Sequence, residues 1–167
     1  IAQIEEFNTI LNDALSELND TANDIIANKF GLEVELQIEY IPASFNDFVN
    51  NVGRERNQRL INPKIILKAR MTNPHVVDAT PIEHPRSFFN EAKLTQMALS
   101  LRLAILDLKP TAGANYNSTV FIDDLLVSLD MACRRKVIDV LLEYAENRQF
   151  VVMTHDRNFF YLFKSAI

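Results

Sequence analysis

Residues 120–130 read VFIDDLLVSLD, an apolar run that ends abruptly in two adjacent carboxylates, Asp123 and Asp124. Further along, residues 150–156 read FVVMTHD, so that a second apolar run ends in Thr-His-Asp. Short apolar runs bounded by polar residues are typical of buried strands. Ligand sites of α/β proteins lie outside the carboxyl ends of such strands. The two stretches therefore predict an α/β sheet with an active-site edge that carries Asp123, Asp124 and His155.

The composition is that of an ordinary globular domain. The chain has 167 residues, 48% of them hydrophobic and 23% charged, which is enough for one domain with a buried core. The net charge of −5 gives no overall attraction for nucleic acid. A single cysteine, Cys133, excludes an intrachain disulfide and is compatible with a reducing cytosol, and we expect a cytoplasmic protein. We see no signal peptide and no apolar run near the ~20 residues that span a bilayer.

Mostly apolar residues near the start of the chain follow the alternating three- and four-residue spacing of a heptad repeat. They are Ile4, Phe7, Leu11, Ala14, Leu18, Thr21 and Ile25, with Ile10, Leu15, Ala22 and Ile26 beside them. The pattern fits both the end of a coiled coil and an amphipathic helix on a globular core. Gly31 follows at the usual place for a helix end. Because the chain begins without Met inside this pattern, we expect a fragment of a longer protein.

Two further strands and an insertion are predicted before residue 90. Residues 34–40 alternate apolar side chains with Glu and Gln, which indicates a half-buried strand with an acidic outer face. Residues 65–70 form the second strand of an antiparallel pair. We expect an irregular or weakly helical insertion over 42–63 and a loop broken by prolines over 74–85.

Three helices and a loop complete the predicted elements. The helices run from about Asn90 to Leu108, from Met131 to Asn147, and through the phenylalanines of 159–163, and a loop covers 111–118. The inward residues expected for the first of these helices are Leu94, Met97, Ala98, Leu101, Ala104, Ile105 and Leu108.

Four motifs of the second half, taken in order, resemble those of the C-terminal lobe of an ABC-type ATPase head of the SMC/RecF/RecN class. The resemblance covers about residues 88–167, and the heptads at the start suit the coiled-coil arm that returns into such a lobe. It implies an α/β lobe with a mostly parallel sheet flanked by helices. It also implies two parts, a coiled-coil end at 1–29 and the ATPase head lobe at 30–167.

The first motif lies where the family has its signature sequence, ahead of an Ala/Leu-rich helix. Asn90 stands at the family's serine position, Ala92 at a glycine position and Lys93 at the Gln/Glu position. The resemblance implies that Asn90, Glu91, Ala92 and Lys93 contact a nucleotide held by the opposite head. The free N–H groups of a helix start are suited to binding phosphate.

The other three motifs supply the remaining candidate residues. By resemblance, Asp123 of the Walker B strand holds Mg²⁺ through water, and Asp124 stands at the general-base position that is Glu in most ABC heads. Ser128 and Asp130 match the D-loop, which lies across the dimer interface, although both residue types are also good helix N-caps. His155 matches the switch histidine that contacts the γ-phosphate.

A P-loop is absent from this sequence, because no Gly-x-x-x-x-Gly-Lys-Ser/Thr occurs in it. In the family that loop belongs to an N-terminal lobe, so we expect the lobe to come from another segment or chain. The resemblance then implies ATP and Mg²⁺ as ligands, hydrolysis between two heads of a homodimer, and action on DNA, for example in repair. We expect the chain by itself to be inactive.

Two other functions fit the same residues. A metal-dependent nuclease would use Asp123, Asp124, Asp130 and His155, provided that the carboxylates lie close enough to share metal ions. A non-catalytic interaction module would use the first helix as its docking surface. The basic run at 134–136 is interpreted as a solvated helix face, with DNA contact as the alternative.

Overall fold

A computed structural model describes residues 2–46, 59–73, 75, 80–108, 119–123 and 129–167. The helices are α1 (Ala2–Asp24), α2 (Pro85–Phe88), α3 (Glu91–Asp107), α4 (Met131–Ala145) and α5 (Arg157–Ala166), and a π-helical turn (Ile25–Lys29) continues α1. The strands are β1 (Val34–Ile41), β2 (Ser44–Asn46), β3 (Arg59–Ile61), β4 (Lys64–Met71), β5 (Thr119–Asp123) and β6 (Gln149–Met153). The predicted loop at 111–118 lies outside the described residues.

The described strands pair into three two-stranded sheets. The pair β1–β4 is antiparallel, which confirms the prediction for 34–40 and 65–70, and β5–β6 is parallel. The sheet predicted to be mostly parallel, which carries Asp123 and precedes His155, is parallel in the part that the structure describes, namely β5 and β6. One prediction was wrong, because the region 42–63 contains the antiparallel strands β2 and β3. Each of the two missed strands has only three residues, too few for an alternating pattern to be recognised.

The outer face of β1 carries its predicted acidic residues, and they are paired with cations of β4. Glu35 pairs with Arg70, and Glu39 lies 2.8 Å from the Lys68 Nζ, which is also 3.1 Å from a carboxylate oxygen of Glu83. The register places Glu35 opposite Arg70, so these are cross-strand pairs. Both acidic residues of β1 on this face are therefore paired with a cation of β4, and Lys68 is shared with Glu83.

Helix α1 lies against β1 and α3, and three asparagines bind the backbone of β1 and its exit. The Asn23 side chain accepts from the Leu36 N–H at 2.7 Å and donates to its carbonyl at 2.9 Å, while Asn19 accepts from the Ile38 N–H at 3.1 Å. Asn8 binds the Ala43 backbone in the same two-way manner. These side chains replace a neighbouring strand along β1, since an edge strand otherwise leaves its N–H and C=O groups unpaired.

The end of α1 differs from a regular heptad helix. Residues Ile25–Lys29 form a π-helical turn, and the two adjacent isoleucines Ile25 and Ile26 are both buried. Each of them packs into a different core cluster, which the wider π turn permits. Gly31 follows with φ of 63°, the left-handed conformation expected of a glycine at a helix end. The domain boundary at residue 29 stays a prediction.

Helix α3 lies between the two cores. One core forms around α4, β5, β6 and α5 and takes Leu99 and Leu103, and the other forms on the β1–β4 sheet and takes Met97. Two residues predicted to face inward do not: Ala98 is exposed, and Ile105 is 54% exposed. The helix is apolar on nearly every side, so its periodicity does not identify which face is buried. No helix in the described ranges is long and apolar enough to cross a membrane.

Candidate functional site

The carboxyl ends of β5 and β6 form one edge, because the two strands are parallel and Asp123 is in register with Met153. Asp123 ends β5 and is exposed, and the turn with His155 begins directly after β6. The predicted edge is thus observed, with Asp123 and His155 at neighbouring strand ends. Asp124 and Ser128 lie outside the described residues, so their placement and all assigned roles stay predictions.

The turn that carries His155 is held on both sides of the histidine. The Asp156 backbone N–H donates to the Thr154 Oγ1 at 3.1 Å. The Asp156 Oδ1 accepts from the backbone N–H groups of Asn158 at 2.9 Å and Phe159 at 3.1 Å, and so caps the start of α5. His155 is therefore exposed on a turn whose two neighbours are both hydrogen-bonded.

The D-loop candidate Asp130 is the N-cap of α4. Its Oδ1 accepts from the Cys133 N–H at 2.8 Å, and its backbone is extended, as a cap requires. The preceding Leu129 is buried in the main core. Asp130 therefore acts as a helix N-cap, which was the alternative interpretation of this motif. The cap fixes the direction in which the chain enters α4.

Arg134 on the first turn of α4 joins the loop before that helix to the turn after β6. Its Nη1 lies 2.6 Å from the Asp156 Oδ2, and its Nε donates to the Leu129 carbonyl at 2.8 Å. Only 12% of its side chain is exposed, so the predicted solvated face is wrong for this residue. Arg135 and Lys136 are both exposed, as predicted, although Lys136 donates to the Phe30 carbonyl at 2.7 Å.

The signature-like segment begins another element, α3. Asn90 is its N-cap and accepts from the Lys93 N–H at 3.0 Å, as a good capping residue does. Asn90 and Glu91 are exposed, whereas Ala92 and Lys93 are half-buried, and Phe89 anchors the segment in the core on the β1–β4 sheet. The segment thus presents an exposed, capped helix start.

One face of the β5–β6 pair is open. Val120 and Ile122 pack into the main core, and the alternate residues Phe121 and Asp123 point to the other face, with Phe121 69% exposed. Met153, in register with Asp123, is exposed as well. A groove of about 460 Å³ lies beside this strand, lined by β5, Phe150 and part of α3. The candidate edge therefore adjoins an uncovered apolar surface.

The metal ligands of a nuclease are not assembled among the residues described. No group of three or more His, Cys, Asp or Glu side chains able to hold a metal ion occurs in these ranges. Asp130, one of the four proposed nuclease residues, uses an oxygen to cap α4. A single exposed carboxylate such as Asp123 does suit Mg²⁺, which commonly keeps several waters and takes one or two carboxylates together with substrate phosphates.

Both capping aspartates have a lowered pKa. The pKa of Asp130 is lowered mainly by the hydrogen bond from the Cys133 N–H. The pKa of Asp156 is lowered mainly by the hydrogen bond from the Phe159 N–H, and Arg134 lowers it further. A carboxyl group whose pKa is lower in the folded than in the unfolded state stabilises the fold. This contribution is fully present when the pH is above the ordinary carboxyl pKa of about 4. That stabilisation is lost as the pH falls through the lowered value.

We expect the double variant Asp130→Asn/Asp156→Asn to be less sensitive to acid than the wild type. Asn caps helices but does not titrate. The variant therefore loses the Arg134 ion pair at neutral pH, but it loses less stability than the wild type as the pH falls below about 4 and through the lowered pKa values. Urea unfolding at a series of pH values measures this. Asp139→Asn, at an exposed position of α4, is the control. Equal acid sensitivity of the wild type and the double variant would contradict the assignment.

Comparison of the sequence with protein-family models and with curated proteins found no match. Solved structures do match. One, from work on ATP-driven dimerization and DNA-stimulated activation of SMC ATPases, aligns over 96% of this chain and 78% of its own, with a TM-score of 0.60 and 15% identity. The chain has the fold of an SMC ATPase head.

Two further SMC heads agree with that fold over nearly all of the chain. The Pyrococcus furiosus Smc head with an extended coiled coil, bound to the C-terminal domain of ScpA, has a TM-score of 0.60 at 16% identity and 97% coverage of this chain. The Pyrococcus yayanosii head with a coiled coil and joint has a TM-score of 0.59 at 16% identity and 95% coverage. This chain spans 33% and 25% of those two chains.

Proposed function

We propose that this chain is the C-terminal lobe of an SMC-like ATPase head. Together with an N-terminal lobe that carries the P-loop, it hydrolyses ATP at a composite interface between two heads. The SMC head fold supports the class of protein. The edge formed by Asp123 and the turn that carries His155 supports the place of the reaction, since both follow neighbouring parallel strands.

The observation that carries this proposal is the open parallel pair β5–β6. Parallel sheets occur almost only with both faces covered, and they rarely consist of two strands. Here Phe121 and Met153 are exposed on one face, next to the candidate edge. An additional lobe that adds strands and covers this face would complete the sheet and bring phosphate-binding groups to Asp123. We therefore assign the open face to the P-loop lobe.

The roles of the edge residues follow from their chemistry. Asp123 would help to hold Mg²⁺, which neutralises charge on the transferring phosphate oxygens when bound. Asp124 is the general base that orients or activates the attacking water, and ionisation of its carboxylate is required for that role. His155, at the exposed turn after β6, contacts the γ-phosphate as a hydrogen-bond partner.

The remaining candidates serve the opposite head. The start of α3, with the exposed Asn90 and Glu91 and the half-buried Ala92 and Lys93, faces the nucleotide held by a second copy. It offers the positive helix end and the N–H groups that Asn90 does not cap. Ser128 and Asp130 lie across the same interface. In this proposal ATP-dependent closing of two heads acts on DNA in the cytoplasm, in repair, chromosome maintenance or phage defence.

The test compares the chain alone with the chain joined to its P-loop lobe. Alone it should bind Mg-ATP no tighter than the millimolar range, about −4 kcal/mol, because the P-loop supplies most phosphate donors. The complete protein should bind ATP and hydrolyse it, which calorimetry and phosphate release measure. Micromolar binding by the chain alone would contradict the split head. Cleavage of DNA with metal and no ATP would favour the nuclease, and a complete protein that assembles without hydrolysis would favour the interaction module.

A further inference from the structure

We propose that Arg134 is a positioning residue that locks the turn carrying His155 to the loop that ends in Asp130. The expected effect of Arg134 on hydrolysis rests on the proposed function, whereas its expected effect on His155 rests on the geometry alone. Residues 129–134 and 154–156 are separated in sequence and meet through one guanidinium group. Its guanidinium group binds Asp156 and the Leu129 carbonyl, and we infer that its effect on His155 is transmitted through Asp156.

The two contacts of Arg134 use different nitrogens, so a point charge such as a lysine ammonium group can replace them only in part. Its Nη1 pairs with the Asp156 Oδ2 at 2.6 Å, and its Nε donates to the Leu129 carbonyl at 2.8 Å. Arginine presents these donors in one rigid plane, so fixing the first contact also orients the second. The side chains of both partners in the ion pair are sheltered, 12% exposed for Arg134 and 23% for Asp156. Screening by solvent and salt is therefore weaker than at an open surface.

Asp156 transmits the constraint to His155. One of its carboxylate oxygens binds Arg134 and the other caps α5, while its backbone N–H holds Thr154 on the far side of the histidine. The turn therefore has little freedom to shift without breaking the ion pair or the cap. A histidine that must meet a phosphate within hydrogen-bond reach benefits from this fixed backbone.

Helix α4, which carries Arg134, is itself held at its far side. Lys136 donates to the Phe30 carbonyl at 2.7 Å, and Glu143 accepts from Lys29 at 2.5 and 2.7 Å. Both partners belong to the end of the π-helical turn after α1. These bonds join α4 to the segment that follows α1. The contacts of Arg134 therefore connect Leu129 and the turn that carries His155 to a helix that is itself held in place.

The experiment measures hydrolysis by the complete protein in a double-mutant cycle. Arg134→Gln removes the ion pair, and Asp156→Asn removes it while keeping a capping residue. Each should lower kcat by roughly 10- to 100-fold, the scale of misplacing a positioned group, and leave KM for ATP within about twofold. The combined variant should be no slower than either single one, since all remove the same interaction. Arg134→Lys should recover part of kcat, and Arg135→Gln, on the exposed neighbour, should be unchanged.

A second readout does not depend on ATP hydrolysis. The ring signals of His155 in NMR spectra of the complete protein, assigned with His155→Gln, should move in Arg134→Gln and stay in place in Arg135→Gln. Unmoved His155 signals, or a wild-type kcat in Arg134→Gln, would overturn the inference. A wild-type protein without ATPase activity, in which Arg134→Gln still moves the His155 signals, would instead refute the proposed function and keep the positioning role.

Discussion

Asp124→Asn in the complete protein is expected to slow ATP hydrolysis by roughly 100-fold or more while ATP remains bound, in line with the contribution of a general base. Asn keeps the shape of the side chain but removes the charge that accepts the proton. In the sequence, Asp124 directly follows Asp123, which is the last residue of β5 and forms one edge with the His155 turn. Single-turnover hydrolysis and sedimentation of the nucleotide-bound protein measure the two effects, and we expect the closed dimer to accumulate.

Two matched variants sharpen this prediction. Asp124→Glu restores the residue that is commoner in ABC heads and should remain active, whereas Asp123→Asn should weaken Mg²⁺-dependent nucleotide binding instead of the chemical step. Near-normal hydrolysis by Asp124→Asn would remove Asp124 from the mechanism and leave the base unidentified.

Phe121→Glu should separate this chain from the P-loop lobe. Phe121 lies on the open face of β5 and is 69% exposed, so the isolated chain loses little packing when it is replaced. Under a covering lobe, however, the introduced carboxylate would be buried without a partner. A central aromatic anchor of an interface is worth about 2 kcal/mol or more, so affinity between separately produced lobes should fall by roughly 30-fold or more.

Binding of the two lobes by calorimetry, with urea unfolding of the chain alone as a check on its integrity, measures this effect. Phe160→Glu is the matched control, because Phe160 on α5 is also exposed, at 54%, and lies on another element. Unchanged lobe affinity in Phe121→Glu would show that the open face of β5 is not where the P-loop lobe docks.

The sequence by itself determined the features that depend on neighbouring residues. The apolar runs that end in Asp123 and in Thr154 predicted two strands with polar ends, and the structure has β5 and β6 there. Asn90 and Asp130 predicted helix starts, because a capping side chain binds N–H groups only three residues away. Gly31 marked a helix end for a similar local reason.

Only the tertiary structure decided the features that join distant segments. The polar side chains of Asn19 and Asn23 on α1 carry no sequence signal for binding the backbone of β1. Helix α3 is apolar on nearly every side, so its buried residues are determined by how it packs between the two cores. In the sequence, Arg134 belongs to a basic run that is typical of a solvated helix face. Only the fold places the Asp156 carboxylate 2.6 Å from its guanidinium group. Local patterns encode where elements begin and end, whereas long-range contacts depend on how those elements pack.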